Sequence, residues 1–219
     1  MPARYTLIVG TKDWSSWSLR PFMALSAIGV PFDEELIPLR RDTTTEAVKQ
    51  CTPAGRVPVL KIEDNGRTHT VWDSLAICET LAELHPEAGL WPEDAYLRAE
   101  ARSYAAEMHS GFPDVREQLT MDFARILPTP ALRDATKTQL ARILDAWTHA
   151  LTRHGGEGGF LFGRFSIADC MYAPVCSRFR TYQIALPEIC AGYVERMFAL
   201  PGMIAWGKAA KAEVDKGEA

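Results

Sequence analysis

The residues best suited to chemistry fall in three short segments of the first third of the chain. Trp14-Ser15-Ser16-Trp17-Ser18-Leu19-Arg20 sets three hydroxyls at a turn that opens a helix. A hydroxyl there can cap the helix by accepting from its free N–H groups, or donate to an anion held at its positive end. One helix needs one cap, so Ser18 is assigned to capping and Ser15 or Ser16 is left for a ligand. Pro53-Ala54-Gly55-Arg56-Val57-Pro58-Val59-Leu60 is a turn entering an apolar strand, and Asp73-Ser74-Leu75-Ala76-Ile77 is an acidic-hydroxyl pair opening an apolar helix. Serine hydrolysis is excluded, because there is no G-x-S-x-G elbow and no identifiable His partner. His69, His85, His109, His149 and His154 form no metal-ligand spacing, so no metal is expected. Gly155 to Gly159 lacks the Gly-Lys-Ser/Thr ending of a phosphate loop and reads as a plain loop.

The elements that must position these segments follow from periodicity. Tyr5 to Val9 reads as a buried strand ended by Gly10, and Leu19 to Ile28 as a helix with Pro21 in its first turn and Gly29 as C-cap. Phe32 to Pro38 is a second strand, so strand, helix and strand form a βαβ unit with parallel strands. Asp42 to Gln50 reads as a short exposed helix. Val57 to Ile62 and Thr68 to Trp72 form a hairpin across Asn65-Gly66, followed by a helix from Asp73 to Leu84. Gly89 and Pro92 mark a linker over 87–94, between a first domain at 1–86 and a second at 95–219. No convincing strand follows. Helices are expected over 97–110, 131–154, from Ser166 with a capping box to Asp169 and a kink at Pro174, and around 187–199 and 202–214. The fold class is therefore an α/β first domain of βαβ-ββα order plus an all-α second domain.

Composition bounds the function. The 219 residues are 47% hydrophobic and 24% charged, a globular balance with room for a sizeable core. The net charge of −4, from 24 basic and 28 acidic residues without a basic stripe, argues against nucleic acid or an anionic membrane as main partner. No apolar run is long enough to span a bilayer, and the N-terminus enters a strand-like run without a signal-peptide core. Five cysteines without a C-x-x-C pair fit a reducing cytoplasm, with Cys78 and Cys170 as small buried hydrophobes.

In their order and separation the three segments resemble the glutathione-binding half of a glutathione transferase, of the serine-using, zeta-like bacterial branch. Gly163-Arg164-Phe165-Ser166-Ile167-Ala168-Asp169 is similar to the family's helix-capping stretch. The resemblance covers nearly the full chain and implies a thioredoxin-like first domain, with glutathione as co-substrate across the strand ends and its thiol facing the first helix. A free thiol has a pKa of about 8.5, and lowering it by about two units takes roughly 2.7 kcal/mol. A hydrogen bond to a charged group supplies about 1.5–3 kcal/mol, so one hydroxyl donor suffices without a general base. By comparison with the Ser-Ser-Cys-type zeta motif, Ser15 is the expected donor and Ser16 the reserve.

Val57-Pro58 looks like the family's cis-proline turn, presenting the Val57 backbone to the cysteinyl unit of glutathione. The resemblance sets Asp73 near the γ-glutamyl ammonium and Ser74 on its carboxylate. Arg56 either pairs with the glycyl carboxylate or lies in solvent, and Arg40 and Arg41 compete for the same group. Tyr5, at the start of its strand, is structural. The electrophile pocket is expected between the domains, floored by Trp14 or Trp17 and walled by Met108 and Phe112. The implied activity is conjugation of glutathione to small hydrophobic electrophiles, in detoxification, by a cytoplasmic homodimer. Two alternatives stand beside it: a zeta-like cis–trans isomerase of the maleylacetoacetate type, needing a cation-lined pocket, and a non-catalytic binding protein. Arg178 and Arg180 face either the cleft or a helix partner.

Overall fold

The computed structural model describes residues 3–219; Met1 and Pro2, the first two residues of the expected first domain, lie outside them. Strand β1 (Arg4–Gly10) has fully buried Leu7, Ile8 and Val9, because both faces of the sheet are covered. Leu7 and Val9 face the main core, while Ile8 meets Ile37, Val48 and Val59 on the opposite face, as the two-residue period of a strand requires. The sheet runs β2-β1-β3-β4, with β2 (Phe32–Ile37) parallel to β1, and β3 (Val59–Asp64) antiparallel to β1 and to β4 (Arg67–Trp72). Asn65 and Gly66 both take positive φ (48° and 75°) and close the expected hairpin.

Helix α1 (Ser16–Ile28) starts three residues before the predicted Leu19, so Ser16 to Ser18 form its first turn and Ser15 is the N-cap. It ends at Gly29, whose φ of 78° and N–H bond to the Leu25 carbonyl make the expected left-handed cap. Helix α2 (Thr44–Cys51) covers one face of the sheet through Val48, and α3 (Ser74–Leu84) follows β4 with Asp73 as N-cap. A short 3-10 turn (Pro86–Ala88) begins the connection to the helical half.

That half contains α4 (Ala95–Ser110), α5 (Pro113–Gln118), α6 (Asp134–His154), α7 (Ile167–Thr181), α8 (Glu188–Phe198) and α9 (Pro201–Asp215). Helix α5 has no counterpart in the sequence reading; at six residues it is too short to show a period. The assigned helix α7 runs through Pro174 without a break and is buried along almost its entire length. At its start Asp169 accepts from the Ser166 N–H (2.8 Å) and hydroxyl (3.0 Å) with one oxygen, and from the Leu161 N–H (3.1 Å) and Tyr193 hydroxyl (3.0 Å) with the other.

One hydrophobic core runs through both halves: α1 packs on the sheet and α3, and also on α7 and α9. Among the described residues no helix is long and apolar enough to cross a membrane.

Candidate functional site

The end of β1 leads into the loop 11–15, which the helical half holds from three sides. The Asp13 carboxylate accepts from the Ala124 N–H (2.8 Å), its carbonyl accepts from the Phe123 N–H (3.1 Å), and its own N–H donates to Glu213 (3.2 Å). The Trp206 indole N–H donates to the Lys12 carbonyl at 2.9 Å. Burial raises the Asp13 and Glu213 carboxyl pKa values. The loop therefore delivers Ser15 to the start of α1 from a braced position.

Ser15 and Ser16 are buried at that start. The Ser15 hydroxyl makes no capping bond; it lies 2.7 Å from the Ser18 hydroxyl, which accepts from the Gly10 N–H at 3.1 Å. The capping role assigned to Ser18 is thus corrected: Ser18 lies inside the helix and ties it to the strand end.

Beside α1 a cleft is lined by Trp17, Ala54, Arg56, Val57, Pro58, Trp72, Asp73 and Ser74; the buried Ser15 and Ser16 adjoin Trp17 in the chain and do not themselves line it. Three distant segments meet there because β3 begins, and β4 ends into the start of α3, at the same edge of the sheet where β1 ends and α1 begins. The Val57–Pro58 bond is cis, and Val57 lies outside the β3 ladder, which begins at Val59. Asp73 holds φ +73° and ψ 133°, a sparsely populated conformation for a residue with a Cβ. One of its oxygens accepts from the Leu75 (2.9 Å) and Ala76 (3.4 Å) N–H groups, and the other lies 3.3 Å from His109 Nε2 of α4. The buried Ser74 hydroxyl has no protein partner among the described residues.

Trp17 forms the boundary between this cleft and a cationic interior. The Arg20 guanidinium stacks 4.1 Å from its ring, Arg116 lies 4.9 Å away, and the His109 ring meets it edge-on at 5.3 Å. Arg20 is fully buried, and its three side-chain nitrogens have no hydrogen-bond partner among the described residues. Burial drives its pKa down, and repulsion from Arg116 and Arg178 adds to the effect. Arg116 caps the end of α4 through the Met108, His109 and Gly111 carbonyls. Burial, with Arg20 and Arg116 repelling, also lowers the His109 pKa, opposed by Asp73.

Other predicted residues lie elsewhere. Trp14 stacks under Arg40 at 4.3 Å and does not line the cleft, so it does not floor it. Arg41 donates to the Glu218 carbonyl, which takes it away from the cleft, and Arg56 is exposed at the rim. Met108 and Phe112 are core residues rather than cleft walls, Phe112 with φ +60° at the N-cap of α5. Arg178 faces inward: Nε donates to the Leu119 carbonyl (2.7 Å) and a terminal nitrogen to the Pro174 carbonyl (3.1 Å), and burial lowers its pKa to about 9. Arg180 stacks on Phe198 at 4.5 Å.

Sequence reading missed Trp72, Arg20 and His109. Trp72 is adjacent to the Asp73-Ser74 pair, and its position could have marked it. Arg20 follows Trp17 by one helical turn, a spacing that places them together. His109 pairs with Asp73 across the linker, and no local pattern records such a contact. Among the described residues no group of three or more His, Cys, Asp or Glu side chains is arranged to hold a metal ion.

The segments that build the cleft also carry the likeness to known proteins. Residues 14–84 match the family model for the glutathione S-transferase N-terminal domain, and residues 130–206 the model for the C-terminal domain. A probable maleylacetoacetate isomerase of Caenorhabditis elegans is 32% identical over 97 residues, 44% of this chain and 44% of that protein. Glutathione S-transferase omega-1 of Mus musculus is 28% identical over 138 residues, 63% of this chain and 55% of that protein. The matches thus span about half the length of these two relatives. A glutathione transferase homolog from Burkholderia gl BGR1, solved with bound glutathione, is 26% identical with a TM-score of 0.70, over 95% of this chain and 98% of that one. With both domain models matched in chain order and the whole fold shared, the chain belongs to the glutathione S-transferase family.

Proposed function

We propose that this chain is a glutathione transferase that ionises the glutathione thiol at the start of α1 and joins it to a small electrophile. The observation that carries this reading is the cleft itself, where Val57-Pro58 and Asp73-Ser74 face Trp17, a first-turn residue of α1. The unpaired Ser74 hydroxyl and the N-terminus of α3 suit the γ-glutamyl carboxylate, and Asp73 suits its ammonium. Ser15 donates to the thiolate with Ser16 as reserve, and the Val57 backbone bonds the cysteinyl unit as a strand would. Arg56, which lines the cleft at its rim, suits the glycyl carboxylate. Proximity in the cleft supplies the remaining rate. The chain acts as a cytoplasmic homodimer, which light scattering and fractionation test.

A second reading has its own support. Arg20 and Arg116 place positive charge behind Trp17, which favours an anionic second substrate and hence a cis–trans isomerase of the maleylacetoacetate type. Turnover of maleylacetone without net consumption of glutathione would select it over conjugation.

The deciding experiment is a pH titration of protein-bound glutathione, following thiolate ultraviolet absorbance, in wild type and Ser15→Ala. A thiol pKa well below about 8.5 that returns toward it on substitution supports both the activity and the role of Ser15. Tight binding with an unshifted thiol would select the non-catalytic binding protein.

A further inference from the structure

We propose that Ser18 is a positioning residue that commits the Ser15 hydroxyl to donating away from Ser18, to the glutathione thiolate. The inference rests on the reading of Ser15 as the thiolate donor and goes beyond it by assigning the proton order behind that donor.

Ser18 is fully buried in the first turn of α1. A hydroxyl has one proton and two lone pairs. The Gly10 N–H, at the end of the central strand, occupies one lone pair of Ser18 at 3.1 Å. The Ser18 proton then has one destination among the described residues, the Ser15 oxygen at 2.7 Å. A buried O–H left unpaired is costly, so the order is fixed: Gly10 N–H to Ser18, Ser18 O–H to Ser15. The Ser15 oxygen is now an acceptor within the protein, and its own proton is free. It is not drawn back to the helix, since Ser15 makes no capping bond. The reverse order, with Ser15 donating to Ser18, would strand the Ser18 proton in the core and spend the one proton that a thiolate needs. Each bond in such a chain polarises the next, so the outermost O–H is a stronger donor than an isolated serine.

The test is the thiol pKa of bound glutathione in wild type, Ser15→Ala, Ser18→Ala, Ser18→Thr and the Ser15→Ala/Ser18→Ala double variant, with thermal unfolding of each alongside. Ser18→Ala is expected to raise the thiol pKa, cutting the thiolate fraction near neutral pH by about 3- to 10-fold. Ser18→Thr keeps the hydroxyl and is expected to restore it. The double variant is expected to match Ser15→Ala alone, because both substitutions act through one bond. A wild-type thiol pKa in Ser18→Ala, with the shift abolished in Ser15→Ala, would overturn the proposal and leave Ser18 a purely structural tie. A shift that survives Ser15→Ala would instead remove the underlying reading of Ser15. Should Ser18→Ala fail to fold, Ser18→Cys keeps the volume with a weaker donor, and an intermediate thiol pKa is the supporting result while an unchanged one refutes.

Discussion

Asp73 shows how one side chain carries a folding duty and a binding duty at once. Its first oxygen caps α3 and its second is free for a ligand apart from His109. Asp73→Asn keeps an oxygen for the cap and tolerates positive φ, but removes the charge. It is expected to change stability little while weakening glutathione binding by about 10- to 100-fold, the worth of a charged hydrogen bond. Asp73→Ala loses both, and its unfolding free energy should fall by a further ~1 kcal/mol. Equal stability losses in the two variants would refute the division of labour. His109 supplies a pH dependence. It faces Asp73 from α3, Arg20 from α1 and Arg116 from α5, and its pKa is held below the ordinary value of 6.5, chiefly by burial. Protonation therefore sets in only at acid pH and then places a second cation on Asp73. Glutathione affinity measured by calorimetry should fall as pH drops from 7 to about 5, and His109→Gln should flatten that fall. A profile unchanged in His109→Gln would sink this account.

Elements were legible in the sequence wherever a local rule fixed them. Gly29, Asn65-Gly66 and Ser166 to Asp169 each announced a boundary through backbone or capping chemistry that needs no tertiary partner. The start of α1 did not, because Ser16 to Ser18 are held by the strand end and the braced loop rather than by a cap. The contacts of Trp14, Met108 and Phe112 were likewise set by packing, and residue type alone could not separate core from cleft. The capping residue Asp169 also makes a prediction. Complete burial outweighs its four donors and pushes its carboxyl up to about 6, above the ordinary 3.8. A raised folded-state pKa stabilises the fold below the unfolded value and loses that contribution as pH rises through the folded one. Denaturant unfolding from pH 4 to 7 should show wild type losing up to about 3 kcal/mol relative to Asp169→Asn, which cannot ionise there. Parallel curves would refute it. Asp169→Asn should be less stable throughout, since an amide cannot accept all four bonds.

At the scale of the whole molecule, composition and periodicity announced two modules, and the order of strands and helices followed. Their interdependence was hidden, because α1 reads as an ordinary amphipathic helix and nothing local says that α7 and α9 share it with the sheet. With one core through both halves, urea unfolding should give a single transition by tryptophan fluorescence and far-ultraviolet dichroism alike. Two separated transitions would show that the halves melt independently.

The shared helix α1 also bears on how freely the two halves can be traded between relatives. A chimera joining residues 1–94 to another family member's helical half would set the α1 surface against a foreign α7 and lose the braces on the loop that carries Ser15. Recombination would succeed where the cut follows the α1–α7 seam, moving matched residues of both helices together, rather than at the linker that punctuates the chain.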